Sequence, residues 1–432
     1  GVILEECYFE GNSATTDGGA ICNLGSLVAT GISLVGNTSD SRGGAIYSQG
    51  NLSLSDIDSS TAIFEGTTSG TSENGGAIYV TSENSVASST YIENVKFGNF
   101  AATNGGVMYI GGGYVKISNS SFGGENITTS ATNGAALYIN TQNASADIFD
   151  TNFYNSTGAF VYTTGNATNG NPFVSFNNVS LLGSQSAGMQ LNGGRVYFHD
   201  VTVSSSANAQ VVINGATLNI SGKIDITGGS NGNLVIGNSP IYLNGPLSKN
   251  SRIGITTTPT AWESESRPGK IVVQASKDRP YVMKASDVEC FEADNTTFTL
   301  GHSFSNLDAN SSGVIYATTV LQSGATFVAS DFKGSVNYYS NELSSLPFSL
   351  MQVYVNGEKL TASYNAETKT GTFTNQDGSV TYTYSFASFA TARRGTEKPF
   401  PEDKTTAAAG TYYLINYLST GSSRIERQST IT

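Results

Sequence analysis

The segment RVYFHD at residues 195–200 contains the side chains best suited to acid–base chemistry in this sequence. Alternate residues of a strand point to the same face, so Arg195, Tyr197 and His199 would lie together, close to Asp200. A polysaccharide lyase would use a basic side chain to remove a proton, usually beside a calcium ion held by carboxylates. A solvated histidine and aspartate at the end of a strand explain the same sequence without catalysis.

Carboxylate pairs would be needed for the other common carbohydrate chemistry, because hydrolysis of a glycosidic bond uses two carboxyl groups roughly 5–10 Å apart. No acidic pair recurs at one position of neighbouring repeats, where stacking would bring carboxylates together; the pairs present are Glu5 and Glu6, Asp56 and Asp58, and Asp147 and Asp150. Lysine and arginine are also sparse before residue 240. We therefore expect no enzymatic activity and assign no catalytic residues.

The cysteines and histidines do not form a metal-binding pattern. Cys7, Cys22 and Cys290, with His199 and His302, are too scattered for a zinc site. The sequence also lacks a glycine-rich phosphate loop and a calcium-binding nonapeptide. We expect no metal and no cofactor. The spacing leaves open whether Cys7 and Cys22 form a disulfide or pack as two small apolar thiols.

The composition is that of an ordered protein with few charges. The 432 residues are 38% hydrophobic and 10% aromatic, which argues against disorder, while only 12% are charged. The net charge of −12 disfavours nucleic acid and anionic membranes as partners, because both require a basic surface. No stretch of about 18 apolar residues occurs, so we expect no direct membrane insertion.

A repeated phrase indicates which elements position these side chains. One or two glycines followed by apolar residues start near Gly18, Gly43, Gly75, Gly105 and Gly134, and weaker copies start near Gly158, Ala187, Ala209 and Gly232. Between copies lie two more short β-like runs separated by Gly, Asn, Ser and Asp. Such repeats predict an all-β fold, a parallel β-helix with three short strands per coil and about nine to ten coils.

The alternation within the repeated strand predicts its register. Every second residue of the strand should point inward, because these positions are apolar with few exceptions such as Ser48. They run from Ile46 and Ser48 through Ile78 and Val80 to Leu234 and Ile236. The preceding glycines would form tight corners. The residues that alternate with these inward positions should face outward and include Tyr47, Tyr79, Tyr109, Tyr138 and Tyr162. These tyrosines are our candidate ligand-binding residues for glycan rings or a partner protein. Cross-strand packing of aromatic rings is the alternative interpretation.

The phrase GGAI followed by Tyr or Cys, preceded by FEGNSA, resembles the polymorphic outer-membrane-protein repeat. Phe9 and Asn12, with Gly18, Gly19, Ala20 and Ile21, match both halves of its F-x-x-N and GGA[ILV] pattern. The resemblance is clear over residues 1–165 and weak to 245. It implies a right-handed parallel β-helix in a secreted or cell-surface adhesin-like protein, with no catalytic residues to carry over.

The C-terminal part follows a different pattern. We predict the β-helix over 1–245, its terminal coils and a cap over 246–315, and an Ig-like β-sandwich over 316–432. The last region has longer strand-like runs and the turn sequence NQDG, and AGTYYLINYLSTG is similar to the final strands of bacterial Ig-like repeats.

These features favour a non-catalytic segment of a cell-surface adhesin or stalk. Its expected partner is a glycan or surface protein of a host or neighbouring cell, with self-association as a further expectation. Because the sequence begins inside a repeat, we expect an extracellular fragment of a larger secreted protein. Two alternatives remain: a structural unit of an extracellular filament or sheath, and a β-helix polysaccharide lyase or glycoside hydrolase.

Overall fold

A computed structural model describes residues 1–257 apart from 57–62, 67–71, 83–87, 166–172 and 238. Beyond residue 257 it describes shorter stretches: 270–276, 281, 283–294, 298–303, 314–321, 334–335, 352–355, 358–359, 361–365, 370–374, 376–378, 381–385, 397–398, 412–420 and 423–431. The chain divides into two compact units. The first comprises 1–257, 276–279 and 289–294, and the second comprises 258–275, 280–288 and 295–432.

The first unit is a parallel β-helix of about nine turns, in which each coil contributes to three parallel sheets. Sheet A is built from strands Val2–Glu5, Ser26–Thr30, Asn51–Ser55, Ser89–Glu93 and Gly113–Ser118, the first halves of Ala144–Ser156, Phe173–Ser184, Arg195–Ser204 and Thr217–Ile226, and Ile241–Leu247. Sheet B is built from Tyr8–Glu10, Ser33–Val35, Ile63–Glu65, Lys96–Gly98 and Ser121–Phe122, the second halves of the same long strands, the start of Arg252–Thr257, and Phe291–Ala293.

Sheet C contains the repeated phrase. Its strands are Ile21–Asn23, Ile46–Ser48, Ile78–Val80, Met108–Ile110, Leu137–Asn140, Val161–Thr164, Met189–Leu191, Val211–Ile213 and Leu234–Ile236, followed by the end of Arg252–Thr257. Two short parallel pairs lie between sheets B and C, Ser13–Ala14 with Thr38–Ser39 and Ala101–Asn104 with Ser130–Asn133. The predicted three strands per coil are separate in the early coils. In the later coils one bent strand of 10–13 residues serves sheets A and B.

The predicted inward column of sheet C is confirmed. Ile78 pairs with Ile46 on one side and Met108 on the other, and Met108 pairs with Leu137. These four side chains are fully buried. Burying such a side chain contributes about 1.5–3 kcal/mol, so the stacked aliphatic column is a main source of stability.

Sheet B contributes an aromatic layer to the same core. Phe64, Phe97, Phe122 and Phe153 are buried, and successive ring centroids lie 5.0, 5.0 and 4.7 Å apart. The coil spacing of a parallel sheet, about 4.8 Å, sets these distances. Phe9 occupies the equivalent place in the first coil, because it pairs with Leu34, which pairs with Phe64.

The glycines before sheet C form corners, as predicted. Gly43, Gly75, Gly105 and Gly134 have φ between 64° and 70°, a left-handed conformation that other L-residues adopt at a cost. The second glycine of each pair is required for a different reason, the close approach of a neighbouring coil. A Cβ on Gly106 would lie 2.2 Å from the carbonyl oxygen of Ala135 in the next coil. The double glycine therefore combines a sharp turn with close approach of two coils.

The described residues of the second unit form mostly antiparallel strands. Their bounds are Lys270–Ala275, Phe298–Ser303, Val314–Leu321, Gly334–Ser335, Gln352–Val355, Glu358–Lys359, Thr361–Asn365, Thr370–Thr374, Thr381–Ser385, Glu397–Lys398, Tyr412–Thr420 and Ser423–Ile431, with one helical turn at Ala285–Val288. Thr361–Asn365, Thr370–Thr374 and Thr381–Ser385 form a three-stranded antiparallel sheet. The Ig-like sandwich over 316–432 stays a prediction.

Cys7 and Cys22 do not form a disulfide. The thiol of Cys7 donates to the carbonyl oxygen of Glu5 at 3.3 Å, and Cys22 is exposed at the outward position of its sheet C strand. Cys22 is therefore neither cross-linked nor packed in the core.

Candidate functional site

The five tyrosines predicted to face outward form one continuous stack, which we call the tyrosine column (Tyr47, Tyr79, Tyr109, Tyr138 and Tyr162). Each ring pairs in register with the next along sheet C. Successive ring centroids are 5.6, 4.8, 4.7 and 5.2 Å apart, with interplanar angles between 6° and 14°. The rings therefore lie face to face along the direction in which the coils stack.

Arg42 covers the first ring of the tyrosine column. Its guanidinium carbon lies 4.6 Å from the ring centroid of Tyr47 and 5.5 Å from that of Tyr79. The guanidinium is fixed by two hydrogen bonds to the carboxylate of Asp17, at 2.7 and 2.6 Å. Tyr47 is only 4% exposed as a result of the packing around it, although its strand position faces outward. The other four tyrosines are partly exposed.

Burial also changes the acidity of the column. Loss of solvent raises the pKa of Tyr109 to about 12, and the neighbouring Tyr138 and Tyr79 add to the increase. The pKa values of Tyr79 and Tyr138 are raised mainly for the same reason. The phenol groups of Tyr79, Tyr109 and Tyr138 therefore stay protonated, and they can both donate and accept hydrogen bonds at physiological pH.

The stacking limits what the tyrosine column can bind. The faces of its interior rings contact neighbouring tyrosines, so a ligand reaches ring edges and hydroxyl groups rather than ring faces. The ligand-binding role of these five residues stays a prediction. Binding there would have to use hydrogen bonds to the row of tyrosine hydroxyl groups.

A second feature lies on the outward face of sheet A, in the later coils. It is a groove of about 390 Å³, called here the outer groove, lined by Asp147, Phe173, Ser175, Phe176, Asn177, Arg195, Tyr197, Phe198, His199, Ser221 and Asn244. The structure thus brings together Arg195, Tyr197 and His199, the residues that the sequence placed on one face. It adds neighbours from strands that lie far away in the sequence.

The register of sheet A explains the shape of the outer groove. Ser175 lies between Asp147 and Tyr197, and Asn177 lies beside His199. Phe173 pairs with Arg195. Side chains from successive strands therefore line the groove side by side.

Asp147 is fixed by its neighbours in the groove. Its carboxylate accepts a hydrogen bond from the hydroxyl of Tyr114 at 2.8 Å and another from the hydroxyl of Ser175. Burial raises the pKa of Tyr114 to about 12, and the hydrogen bond to Asp147 contributes to the increase. Among the described residues that line the groove, Asp147 is the single carboxylate.

His199 is held at the other edge of the groove. Its Nδ1 lies 3.0 Å from the hydroxyl oxygen of Ser221, and its Nε2 lies 3.5 Å from a carboxylate oxygen of Asp200. The other oxygen of Asp200 accepts the backbone N–H of Lys223 at 2.6 Å. Asp200 thus accepts a hydrogen bond from the backbone at this corner and also lies beside the imidazole of His199.

The remaining acidic candidates have other positions. Glu5 and Glu6 are exposed in the first coil, and Asp150 occupies a corner with φ 45°. Asp56 is buried, and Asp58 lies outside the described residues. No group of three His, Cys, Asp or Glu side chains in the described part of the chain could hold a metal ion.

Sequence reasoning missed Phe173, Asn177 and Asn244 as members of a site. The alternation of the long strands could have identified two of them. In FVSFNN, Phe173 and Asn177 lie on the same face as Ser175, just as Arg195 and His199 share a face in RVYFHD. Reading those two segments together requires the register between coils, which the sequence does not state.

The F-x-x-N half of the repeat also has a structural basis. Asn12 donates to Oδ1 of Asn37 from its backbone N–H at 3.0 Å and from its side-chain amide at 2.8 Å. The Asn37 amide in turn donates to the carbonyl oxygen of Phe9 at 2.9 Å. The asparagine therefore links two coils at the turn after sheet B, while the half-buried phenylalanine occupies the place that buried phenylalanines take in later coils.

The comparisons with known proteins agree with this architecture. The model of the Chlamydia polymorphic membrane protein repeat matches residues 6–24 and 31–49. No curated protein and no solved structure matches the chain. No helix among the described residues has the length and apolarity needed to cross a lipid bilayer. Two successive segments of the chain thus match the Chlamydia polymorphic membrane protein repeat, and they fold as the first coils of a parallel β-helix.

Proposed function

We propose that this chain is a non-catalytic recognition segment of a cell-surface adhesin or stalk, presented outside the cell. The matched repeats belong to a family named for a membrane protein, which supports a surface location. The parallel β-helix supports a rigid, extended recognition surface, since each coil is hydrogen-bonded to its neighbours. Partners would be glycans or surface proteins of a host or neighbouring cell.

The observation that carries this proposal is the fixed spacing of outward side chains. On sheet A, Asp147, Ser175 and Tyr197 follow each other in register on successive strands, and sheet C repeats a tyrosine on five strands. Strands in a sheet lie about 4.8 Å apart, so these groups form regular rows that need no rearrangement to meet a ligand. A preorganised surface reduces the entropic cost of binding.

Recognition fits the outer groove better than catalysis does. Glycosidic hydrolysis uses two carboxyl groups, whereas Asp147 is the one carboxylate among the described lining residues. Asp147 already accepts hydrogen bonds from Tyr114 and Ser175.

Binding of the whole chain to cells and to a glycan array would test the proposal. The fluorescently labelled chain should bind a defined subset of cells or glycans saturably. A triple variant carrying Tyr79→Phe, Tyr109→Phe and Tyr138→Phe keeps the ring stack but removes three hydroxyl groups, and weaker binding by this variant would support a role for the tyrosine column. Absence of saturable binding to any cell, glycan or surface protein would contradict the proposed function.

The proposal that the chain has no enzymatic activity needs a separate measurement. The chain is incubated with plant and host polysaccharides, and released sugars and unsaturated products are quantified. We expect no products. Release that disappears in Arg195→Ala and His199→Ala variants would overturn this part of the proposal and place a lyase or hydrolase in the outer groove.

A further inference from the structure

We propose that the outer groove is a binding site for an uncharged oligosaccharide. This inference deepens the proposed function and rests on it: it assigns the ligand class and places the site on sheet A rather than on the tyrosine column.

The aromatic wall of the groove is available to a ligand. Phe173 is 38% exposed, and its ring centroid lies 6.3 Å from that of Tyr197 with the planes at 83°. The two rings meet edge to face, so they do not cover each other as the rings of the tyrosine column do. An exposed aromatic face beside polar groups suits the apolar face of a pyranose ring, and ligand sites in general combine apolar walls with a few polar groups.

The polar lining offers both donors and acceptors. The amides of Asn177 and Asn244, the hydroxyl of Ser221 and the carboxylate of Asp147 converge on the groove. Each hydroxyl group of a sugar can donate one hydrogen bond and accept two, so it is matched by such a mixed set.

Two buried amide atoms at this end of sheet A have no hydrogen-bond partner in the protein. They are Oδ1 of Asn244, a groove-lining residue, and Nδ2 of Asn219, which lies in register between Tyr197 and Tyr242. Buried polar atoms are normally hydrogen-bonded, and those that are not call for an explanation. A turn of the Asn244 side chain toward the groove would expose Oδ1, and a ligand hydroxyl group could then donate to it.

The charge of the groove favours an uncharged ligand. Arg195 and Asp147 bring one formal charge of each sign, and Asp200 adds a negative charge beside His199. The whole chain carries a net charge of −12. An acidic glycan would meet repulsion from both sources.

The length of the groove favours an oligosaccharide over a single sugar. Its lining residues come from successive strands of sheet A, from Asp147 through Ser175, Tyr197 and Ser221 to Asn244. Four spacings of about 4.8 Å give a site of about 19 Å along the stack of coils. A linear ligand would therefore run across the strands.

The test uses the full chain and a panel of defined neutral, sialylated and sulfated oligosaccharides, with affinities measured by isothermal titration calorimetry. Phe173→Ala and Asn177→Ala should each weaken the tightest neutral ligand by about tenfold, a change that corresponds to roughly 1.4 kcal/mol. Tyr91→Ala is the matched control. Tyr91 faces outward from sheet A, is 48% exposed and meets Tyr114 edge-on at 6.3 Å, but it lies outside the groove. It should change the affinity less than twofold.

The outcomes separate this inference from the proposed function. Unchanged glycan affinity in the Phe173 and Asn177 variants, with far-UV circular dichroism intact, would overturn the groove assignment but leave recognition standing. A ligand set restricted to acidic glycans, with an affinity that falls steeply with added salt, would overturn the uncharged class. Binding to cells through a protein, with no glycan bound, would overturn the inference and still support the proposed function.

Discussion

Tyr109 lies at the centre of the tyrosine column, with ring centroids 4.8 and 4.7 Å away on its two sides. We expect Tyr109→Ala to lower the free energy of unfolding by about 2–3 kcal/mol, because two stacked contacts and the buried part of the ring are lost. Tyr109→Phe should change it by less than about 0.5 kcal/mol, since the stack is kept. Urea denaturation followed by circular dichroism measures both. Equal stability of the alanine variant and the wild type would show that the stack is not structural.

The acidity of the same residue predicts how stability depends on pH. Burial raises the pKa of Tyr109 from its ordinary 10.0 to about 12. Below pH 10 the phenol is protonated in both the folded and the unfolded chain, so it contributes no pH dependence. Between about 10 and 12 the unfolded chain releases its proton first, and the free energy of unfolding falls as pH rises.

Urea unfolding between about pH 10 and pH 11 should therefore show a stability that declines as pH rises. The decline should be shallower in Tyr109→Phe, which has no proton to lose. An identical pH profile in the variant and the wild type would contradict the assignment of this effect to Tyr109.

The sequence predicted which face each side chain occupies but not how deeply it is buried. Alternation alone placed Tyr47 on the outward face. Its burial depends on Arg42, which precedes the corner at Gly43 and whose guanidinium is turned over the ring by Asp17. Such a contact depends on side-chain conformation at a bend, and periodicity carries no information about it.

The double glycine before sheet C is a tightly restricted part of the coils that contain it. A Cβ on Gly106 would lie 2.2 Å from the carbonyl oxygen of Ala135 and 2.4 Å from that of Ser130. We expect Gly106→Ala to cost about 3 kcal/mol or more, because two coils must separate locally. Thermal and urea denaturation would measure the loss.

Gly25→Ala is the matched control, since a Cβ at Gly25 would contact nothing within 4 Å. Its stability should stay within about 0.5 kcal/mol of the wild type. If the two alanine variants were equally stable, close approach of the coils would not be the reason for the second glycine.

The corner between sheets A and B was not predicted, although its residues share a conformation. Positive φ values between 45° and 73° recur at this place in coil after coil, at Glu6, Gly31, Asn94, Asn119, Asp150, Asn178, Asp200 and Gly222. Asparagine, aspartate and glycine tolerate the left-handed region best. In the sequence these residues are scattered among many others of the same types, so the corner becomes visible only once the strands on either side are aligned.

Each coil of the β-helix is stabilised chiefly by the coils next to it. Within the described residues, Val2–Glu5 pairs with one strand, Ser26–Thr30, whereas Phe173–Ser184 pairs along both edges. In hydrogen exchange of a polypeptide that begins at Gly1, we expect amides of residues 2–10 to exchange much faster than those of 173–184, because Val2–Glu5 then pairs along one edge and its local opening breaks fewer contacts. Mass spectrometry of peptides from the intact chain measures this gradient. Uniform protection along the β-helix would indicate unfolding as one unit.

The molecule as a whole was only partly predictable. The β-helix could be predicted because the repeats place apolar residues at alternate positions of each short strand, and stacking the repeats buries those residues in one core. The outer groove did not, because Asp147, Phe173 and Asn244 come from strands that only the register of sheet A brings together.

The register of sheet C has a consequence for how such a chain can change its length over evolution. Ile78, Met108 and Leu137 occupy equivalent places, so residues 105–133 can be excised and Asn104 joined directly to Gly134 with the strands of sheet C still in register. The product would be shorter by about 4.8 Å, with Tyr138 stacked on Tyr79. Recombination between repeats of similar sequence can thus lengthen or shorten the β-helix in single-coil steps, without a new fold having to be found.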